Sequence, residues 1–165
     1  MTCETTNYKL QLIAEATRTE LETFARENKH IGNPINLMCF CAIGAYTLWN
    51  VCKRLGYKHI EFVAGEFIDY SGSYSYHCWN ESNSSIVDIT ATQFKFIYDR
   101  VYFPSSKGKS FYIKDGYFFK NTLATRKINE EWEPKQNIKN NREGINKMIK
   151  NSCSKLKKTF QMEGL

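Results

Sequence analysis

A cysteine, a histidine and an aspartate that could share one reaction occur in that order in the first half of the chain. They are Cys41, His77 and Asp88. Thiol chemistry at neutral pH requires a cysteine with a lowered pKa, a base that holds or accepts its proton, and a group that orients this base. A carboxylate that accepts the imidazole N–H would fix the histidine tautomer and stabilise the imidazolium. These residue types therefore predict nucleophilic attack by the Cys41 sulfur.

Cys41 lies near the beginning of a stretch that predicts a buried helix. Residues 36–56 read NLMCFCAIGAYTLWNVCKRLG, and Gly56 is a residue type that ends helices in a left-handed turn. Unpaired backbone N–H groups and the positive end of the helix dipole favour a thiolate at the first turn. The same N–H groups can donate to a developing oxyanion. Apolar residues at helical spacing define the predicted buried face: Ala45, Leu48, Cys52 and Leu55.

His77 and Asp88 are predicted to lie on neighbouring strands. Residues 74–79 have the composition of a strand, residues 80–85 that of a polar turn, and residues 86–89 that of a short strand. Two strands joined by so short a connection pair antiparallel, which would bring the two side chains to one face. If the strand that carries His77 also crosses the beginning of the Cys41 helix, the three groups meet.

Other cysteines and histidines could compete for these roles. Cys39 is a rival nucleophile, but it falls in the segment that leads into the predicted helix. His30 precedes a turn and His59 opens a strand, and neither has a carboxylate partner in the pattern. We therefore assign both histidines to the surface and keep Cys41 as the nucleophile.

A metal site is the alternative use of these residue types. The residues that could be gathered around a zinc ion are Cys39, Cys41, His77 and Cys78. Their spacing is poor for a structural zinc, so we predict no metal and no cofactor. Because a chain of 165 residues can fold without disulfides and its six cysteines lie in periodic segments, we also predict free thiols.

The length and composition predict one domain over residues 1–165. Apolar residues make up 42% and aromatic residues 15% of the chain, which is typical of a packed core. No apolar run approaches the roughly 20 residues that span a membrane. The polar beginning of the sequence argues against a secretory signal. We therefore expect a cytoplasmic protein, or an effector that is delivered into a target cell.

The remaining pattern predicts an α+β architecture, because helices flank a run of strands instead of alternating with them. An amphipathic helix is predicted over residues 8–27 and a first strand over 59–67. Further along, the sequence predicts a strand over 94–103, a turn over 105–110, a hairpin over 111–119, a helix over 122–133 interrupted by Pro134, and a closing helix over 138–160.

The positive charge is concentrated at the end of the chain. Residues 135–165 contain eight basic and two acidic residues. The net charge of this segment is therefore +6, which equals the net charge of the whole chain. Such a helix can contact nucleic acid, an anionic membrane or a partner protein, and more often it is a solvated face. Since no basic stripe is interleaved with aromatic residues on a sheet, the pattern argues against RNA recognition.

Three motifs together resemble the papain-like superfamily in its transglutaminase-like branch. They are CAIGAYTLWNVCKRLG for the nucleophile helix, YHCWNE for the histidine strand and IVDITATQF for the aspartate strand. The last motif is similar to the DxTxxQF ending of small microbial members, which include glutamine deamidases and peptide-maturing proteases. The resemblance covers residues 36–94. It implies a nucleophile helix packed on an antiparallel sheet, with a catalytic triad of Cys41, His77 and Asp88.

The chain departs from this family at the oxyanion hole. Papain carries a glutamine shortly before its nucleophile, and this chain has none there. Asn36 is the candidate for that role, with Asn33 as a weaker one, and the Cys41 backbone N–H would be the second donor. Trp79 is expected to pack beneath the site. Gln93 either caps the end of the aspartate strand or takes part in the site.

The resemblance implies acyl transfer through a thioester on an amide of a protein or peptide substrate. A selective protease, a glutamine deamidase and a crosslinking transglutaminase share this chemistry, and we favour one of the first two. An amine acetyltransferase also uses such a triad, but no acyl-carrier pocket is evident in the sequence. The alternative from a different class is a non-catalytic binding module that uses the basic closing helix.

Overall fold

The structure of the chain is a computed structural model that describes residues 3–83, 85–104, 106–116 and 133–164. It is an α+β fold, as predicted. The helices are α1 (Cys3–Glu27), α2 (Cys41–Arg54), α3 (Ser106–Lys109), α4 (Glu133–Asn140) and α5 (Arg142–Glu163), and a single 3-10 turn spans Ala91–Gln93. The strands are β1 (Glu61–Ile68), β2 (Tyr74–Ser82), β3 (Ser85–Val87) and β4 (Tyr112–Gly116).

The four strands form one antiparallel sheet in the order β3-β2-β1-β4. In the register of β1 and β2, Gly65 lies opposite His77 and Ala64 opposite Cys78. Strand β3 pairs only with the end of β2, from Asn80 to Ser82. The edge of β2 at His77 and Cys78 is therefore not covered by β3, and this uncovered edge is where the active-site candidates meet.

Helix α2 connects the helical layer with the sheet. It contacts α1 and α5 on one side and β1 and β2 on the other. The predicted apolar residues face inward, since Ala45, Leu48 and Cys52 are buried. The Asn80 side chain ties the helix to the sheet, because its Nδ2 donates to the Ala45 carbonyl at 3.1 Å and to the Glu61 carbonyl at 3.2 Å.

The ends of α2 place Cys41 in the first turn. Two residues before it have left-handed backbones without being glycine, Leu37 with φ of 60° and Cys39 with φ of 70°. This conformation is sterically unfavourable for L-residues and persists only where the surroundings hold it. Burial of Leu37 supplies such an anchor, so the helix begins at Cys41 and not at residue 36. Gly56, with φ of 78°, reverses the chain after the helix as predicted.

Helices α1 and α5 complete the helical layer. Helix α1 begins at Cys3, earlier than the predicted residue 8, and α5 ends at Glu163. The predicted closing helix is divided into two helices, because the helical backbone is interrupted at Asn141 between α4 and α5. Where α1 and α5 pack together, Gly144 leaves room for the Phe24 ring, since a Cβ there would lie 2.3 Å from that ring. The apolar side of α5 is buried, in agreement with the predicted stripe: Ile145, Met148, Ile149, Leu156 and Phe160.

The prediction of a strand over residues 94–103 is wrong. In this segment Tyr102 forms an isolated bridge to Asp88, and the other residues form turns, bends and irregular chain after the 3-10 turn. Phe94 is buried and stacks on Phe67 of β1 with ring centroids 3.6 Å apart, and Ile97 is buried in the same cluster. The alternating aromatic residues therefore cover one face of the sheet and do not extend it.

The other predicted boundaries can be compared only in part. The predicted turn over residues 105–110 contains α3, and the predicted hairpin over 111–119 contains β4. The rest of that hairpin and residues 122–132 of the predicted helix lie outside the described residues. Among the residues that are described, no helix has the length and apolar character required to cross a membrane.

Candidate active site

His77 and Asp88 form the central contact of the site. His77 projects from β2, and its Nε2 lies 2.5 Å from Asp88 Oδ2. Both side chains are buried, with exposed fractions of 0% and 1%. Asp88 was predicted within the third strand, but it lies one residue beyond β3 and pairs through its backbone with Tyr102. The predicted contact between the two side chains is nevertheless present.

Three further hydrogen bonds hold the Asp88 carboxylate. The Thr90 backbone N–H and hydroxyl both donate to Oδ1, at 2.8 and 3.0 Å. The Tyr112 hydroxyl of β4 donates to Oδ2 at 3.0 Å. Burial alone would raise the pKa of Asp88, but the His77 charge and these donors bring it below its usual value. The carboxylate is therefore ionised and fixed in orientation.

The Cys41 thiol meets this pair at the beginning of α2. It interacts with the His77 ring, the Cys78 thiol and the Cys78 backbone N–H. Cys41 is half-buried and packs against the cluster that contains Cys78, Ala42 and Ala45. The structure thus brings Cys41, His77 and Asp88 together.

Electrostatics favour a thiolate and an imidazolium in this pair. The hydrogen bond from Cys78 lowers the pKa of Cys41 most, burial opposes it, and His77 lowers it further, so that the pKa lies well below the usual thiol value. Burial would lower the pKa of His77, but Asp88 and Cys41 override it and raise the pKa to about 10. The charged form of each group is stabilised by the other.

Aromatic rings enclose His77 and keep bulk water from it. The Phe94 ring meets the imidazole edge to face at 4.9 Å, and Trp79 stacks at 6.0 Å. Trp79 is 1% exposed, so it packs next to the site as expected. Rings of Phe67 and Tyr112 lie 6.2 and 6.1 Å from the imidazole. Such a low-polarity wall strengthens the interaction of His77 with Asp88.

Gln93 belongs to the site through the second imidazole nitrogen. Its Nε2 lies 2.9 Å from His77 Nδ1 and 3.2 Å from the Thr90 carbonyl oxygen. The sequence left open whether Gln93 caps the aspartate strand or takes part in the site. The structure places it in both positions, because one amide nitrogen contacts the turn and the imidazole.

Arg18 of α1 holds the segment that carries Asp88 and Gln93. Its guanidinium is buried and donates to the carbonyls of Ile89 and Arg100, at 2.5 and 3.2 Å. It also donates to Thr92 Oγ1 at 3.1 Å, and the Thr92 hydroxyl in turn donates to the Asn36 carbonyl at 3.2 Å. One cation of α1 thereby links the aspartate segment to the loop that leads into Cys41.

The predicted oxyanion residue Asn36 lies in that loop. Its Oδ1 accepts the Met38 backbone N–H at 3.1 Å, so Nδ2 is the donor that the side chain can offer to a substrate. Asn33 is the weaker candidate, and its Oδ1 accepts the Ile35 N–H at 2.9 Å. The role of Asn36 stays a prediction.

The competing residues lie elsewhere on the surface. Cys39 is exposed in the left-handed position before α2, and His30 and His59 are exposed. Within the described residues, no three metal-ligating side chains are grouped closely enough to hold a metal ion. Five cysteines carry free thiols in the structure: Cys39, Cys41, Cys52, Cys78 and Cys153.

Four contributors to the site escaped the sequence reasoning. Thr90 follows Asp88 at the spacing of a side-chain turn, which is a local signal that could have indicated its role. Cys78, Tyr112 and Arg18 gave no such signal. Their contacts with the site join different elements, and only packing brings these elements together.

Comparison with known proteins adds no assignment. No protein-family model, no curated protein and no solved structure matches this chain.

Proposed function

We propose that this chain is a cysteine-dependent hydrolase or acyl transferase that acts on an amide of a protein or peptide. The observation that supports it is the buried His77–Asp88 pair, with His77 Nε2 2.5 Å from Asp88 Oδ2, next to a cysteine at the beginning of α2 whose pKa His77 lowers. We also propose that α2 and the sheet form the papain-like arrangement of the transglutaminase-like branch.

The reaction begins with the Cys41 thiolate, which attacks the amide carbonyl carbon and forms a tetrahedral oxyanion. Backbone N–H groups at the first turn of α2 have no partner within the helix and can donate to this oxyanion. Asn36 Nδ2 is the proposed second donor. The His77 imidazolium gives a proton to the leaving amine, which departs and leaves a thioester on Cys41. Neutral His77 then deprotonates a water molecule that attacks the thioester, and release of the acid restores the Cys41 thiolate and the His77 imidazolium.

The leaving group decides which enzyme this is. A backbone amide would make the chain a selective protease, and a glutamine carboxamide would make it a deamidase. We propose these two activities without a preference between them, because the same mechanism serves both. An amine in place of water would give a crosslinked product, as in a transglutaminase.

The test combines thiol labelling with intact-mass analysis of candidate protein substrates. Iodoacetamide should alkylate Cys41 before the other cysteines, because its thiolate is stabilised. A gain of about one dalton would identify deamidation, two fragments proteolysis, and a crosslink transglutamination. Cys41→Ala should abolish the product, whereas the matched Cys39→Ala variant should keep it. An unreactive Cys41, or a product that survives Cys41→Ala, would refute the proposal.

A further inference from the structure

The two contacts of the Gln93 carboxamide determine its orientation. A carbonyl oxygen only accepts, so the atom 3.2 Å from the Thr90 carbonyl must be the nitrogen of the amide. The same nitrogen lies 2.9 Å from His77 Nδ1. Its two hydrogens therefore have two acceptors, and Nδ1 must present a lone pair.

This contact assigns the tautomer of His77. When Nδ1 accepts from Gln93, the proton of the neutral ring resides on Nε2, which donates it to Asp88 Oδ2. With Nε2 engaged by Asp88, Nδ1 is the nitrogen that remains to exchange a proton with Cys41. Gln93 and Cys41 thus require the same atom in different states, since Gln93 needs a lone pair on Nδ1 and the thiolate needs a proton there.

The surrounding groups do not remove this conflict. The ionisable residues that act on the imidazole are Asp88, just after β3, and Cys41 of α2, while Tyr112 of β4 acts through Asp88 and Cys78 of β2 acts through Cys41. The remaining neighbours are the uncharged rings of the aromatic wall. Asp88 and Cys41 favour a fully protonated ring, and the Gln93 amide is the donor that opposes it.

We propose that Gln93 is a positioning residue that favours the neutral Nε2–H form of His77 and so opposes the imidazolium that Asp88 and Cys41 favour. Transfer of the thiol proton to Nδ1 then requires the carboxamide to give up its hydrogen bond to the imidazole. Gln93 is half-buried, so its side chain has room to turn away while its backbone stays in the 3-10 turn. This inference rests on the proposed function, and it adds a control on the charge state of the nucleophile.

The test measures the rate of Cys41 alkylation by iodoacetamide against pH, in a Cys39→Ala background with the modified residue identified by mass spectrometry. Gln93→Leu removes the amide donors and leaves the neutral imidazole without its Nδ1 hydrogen bond. We expect the acid limb to move to lower pH, which speeds alkylation on that limb by about threefold to tenfold, the equivalent of one hydrogen bond. Gln93→Asn, which is one methylene too short to reach Nδ1, should change the rate in the same direction.

Tyr98→Leu is the matched control, because Tyr98 lies on the same segment, is 85% exposed and should leave the profile unchanged. Nitrogen chemical shifts of His77 provide a second readout, with the Nε2–H tautomer dominant above the imidazole pKa in the parent and depleted in Gln93→Asn. A folded Gln93→Leu or Gln93→Asn variant with the parental profile and tautomer would overturn this inference alone. A parent in which Cys41 resists alkylation would instead overturn the proposed function.

Discussion

At the scale of single residues, the chemistry of the site depends on how many donors reach the Cys41 sulfur. His77 is the expected partner, yet the hydrogen bond from the Cys78 thiol has the largest lowering effect on the pKa of Cys41. Cys78 itself is buried, and burial followed by the Cys41 charge raises its pKa well above the usual value. It therefore stays protonated and acts as a neutral donor to the thiolate.

Replacing Cys78 should accordingly make Cys41 less acidic. We expect Cys78→Ala to raise the pKa of Cys41 and to slow its alkylation about tenfold at a pH below that pKa, because a hydrogen bond to a charged group is lost. Cys78→Ser keeps an O–H donor and should change the rate less. Cys52→Ala is the control, since Cys52 is buried in α2, the helix of Cys41, but belongs to a different cluster of the core from Cys78. Equal rates for Cys78→Ala and the parent would contradict this role.

The same residues predict the pH dependence of turnover. The proposed reaction needs a thiolate on Cys41, whose pKa is lowered, and a protonated His77, whose pKa is raised to about 10. Activity should therefore rise with pH below the neutral range, stay level, and fall as pH passes about 10. Initial rates on an identified substrate would measure this profile. An alkaline limb near the ordinary histidine value would show that Asp88 does not stabilise the imidazolium.

At the scale of elements, the site is assembled from segments that α1 holds in place. The aspartate segment and the lead-in loop of α2 share no regular backbone pairing, and Arg18 with Thr92 joins them. A buried guanidinium with carbonyl partners positions these loops more rigidly than their own turns would. The geometry of the Cys41–His77–Asp88 site therefore depends on Arg18, a residue of the first helix that does not touch His77.

Removing the Arg18 guanidinium should reduce both the free energy of unfolding of the chain and the reactivity of Cys41. We expect Arg18→Leu to lower the free energy of unfolding by about 2–4 kcal/mol, because buried carbonyls lose a charged donor. Urea unfolding would measure the loss, and Cys41 alkylation in the folded variant would report the change at the site. Arg100→Leu is the matched control. Arg100 pairs with Glu22 at 2.9 Å, as Arg18 also does, but Arg100 is half exposed, so its loss should cost about 1 kcal/mol or less. An equal loss in the free energy of unfolding for the two variants would contradict this role of Arg18.

Gly65 shows how closely the sheet is packed around the histidine. It lies opposite His77, and a Cβ there would lie 2.0 Å from the Ile113 carbonyl oxygen of β4 and 2.9 Å from the Trp79 ring. A backbone oxygen cannot move aside as a flexible side chain can. Glycine is thus the residue that lets β4 approach β1, and this approach brings the Tyr112 hydroxyl to Asp88.

At the scale of the whole molecule, the basic side of α5 and the Cys41–His77–Asp88 site lie in different parts of the fold. The basic residues of α5 lie on its exposed side, while its apolar side packs against α1 and α2. One of them, Lys155, also bonds Glu20 of α1 at 2.5 Å. The triad lies at the opposite side of α2, where this helix meets the sheet. The exposed basic side of α5 is therefore consistent with a solvated surface of the helical layer.

The buried pair should also be visible in the stability of the whole chain. Because the pKa of His77 is raised in the folded state, its contribution is complete below the ordinary value of 6.5 and is lost as pH rises through about 10. Because the pKa of Asp88 is lowered, its contribution is present above 3.8 and is lost as pH falls below it. Urea unfolding of the parent should show both declines, and His77→Gln should flatten the alkaline one. An alkaline decline of the same size in His77→Gln would assign it to other groups.

The sequence by itself determined those features that neighbouring residues encode. The helical spacing of Ala45, Leu48 and Cys52 predicted the buried helix, and Gly56 predicted its end. The two short strands predicted that Asp88 would reach His77. Local patterns carry this information because backbone periods and turns depend on residues close together in the chain.

Only the tertiary structure decided what depends on packing between distant elements. It showed that residues 94–103 cover the sheet and do not join it, since stacking of Phe94 on Phe67 satisfies the same apolar alternation as strand pairing would. It also selected the ring nitrogen that faces Asp88, and it brought Arg18, Cys78 and Tyr112 to the site. These choices depend on contacts between residues far apart in sequence, for which the order of residue types holds no signal.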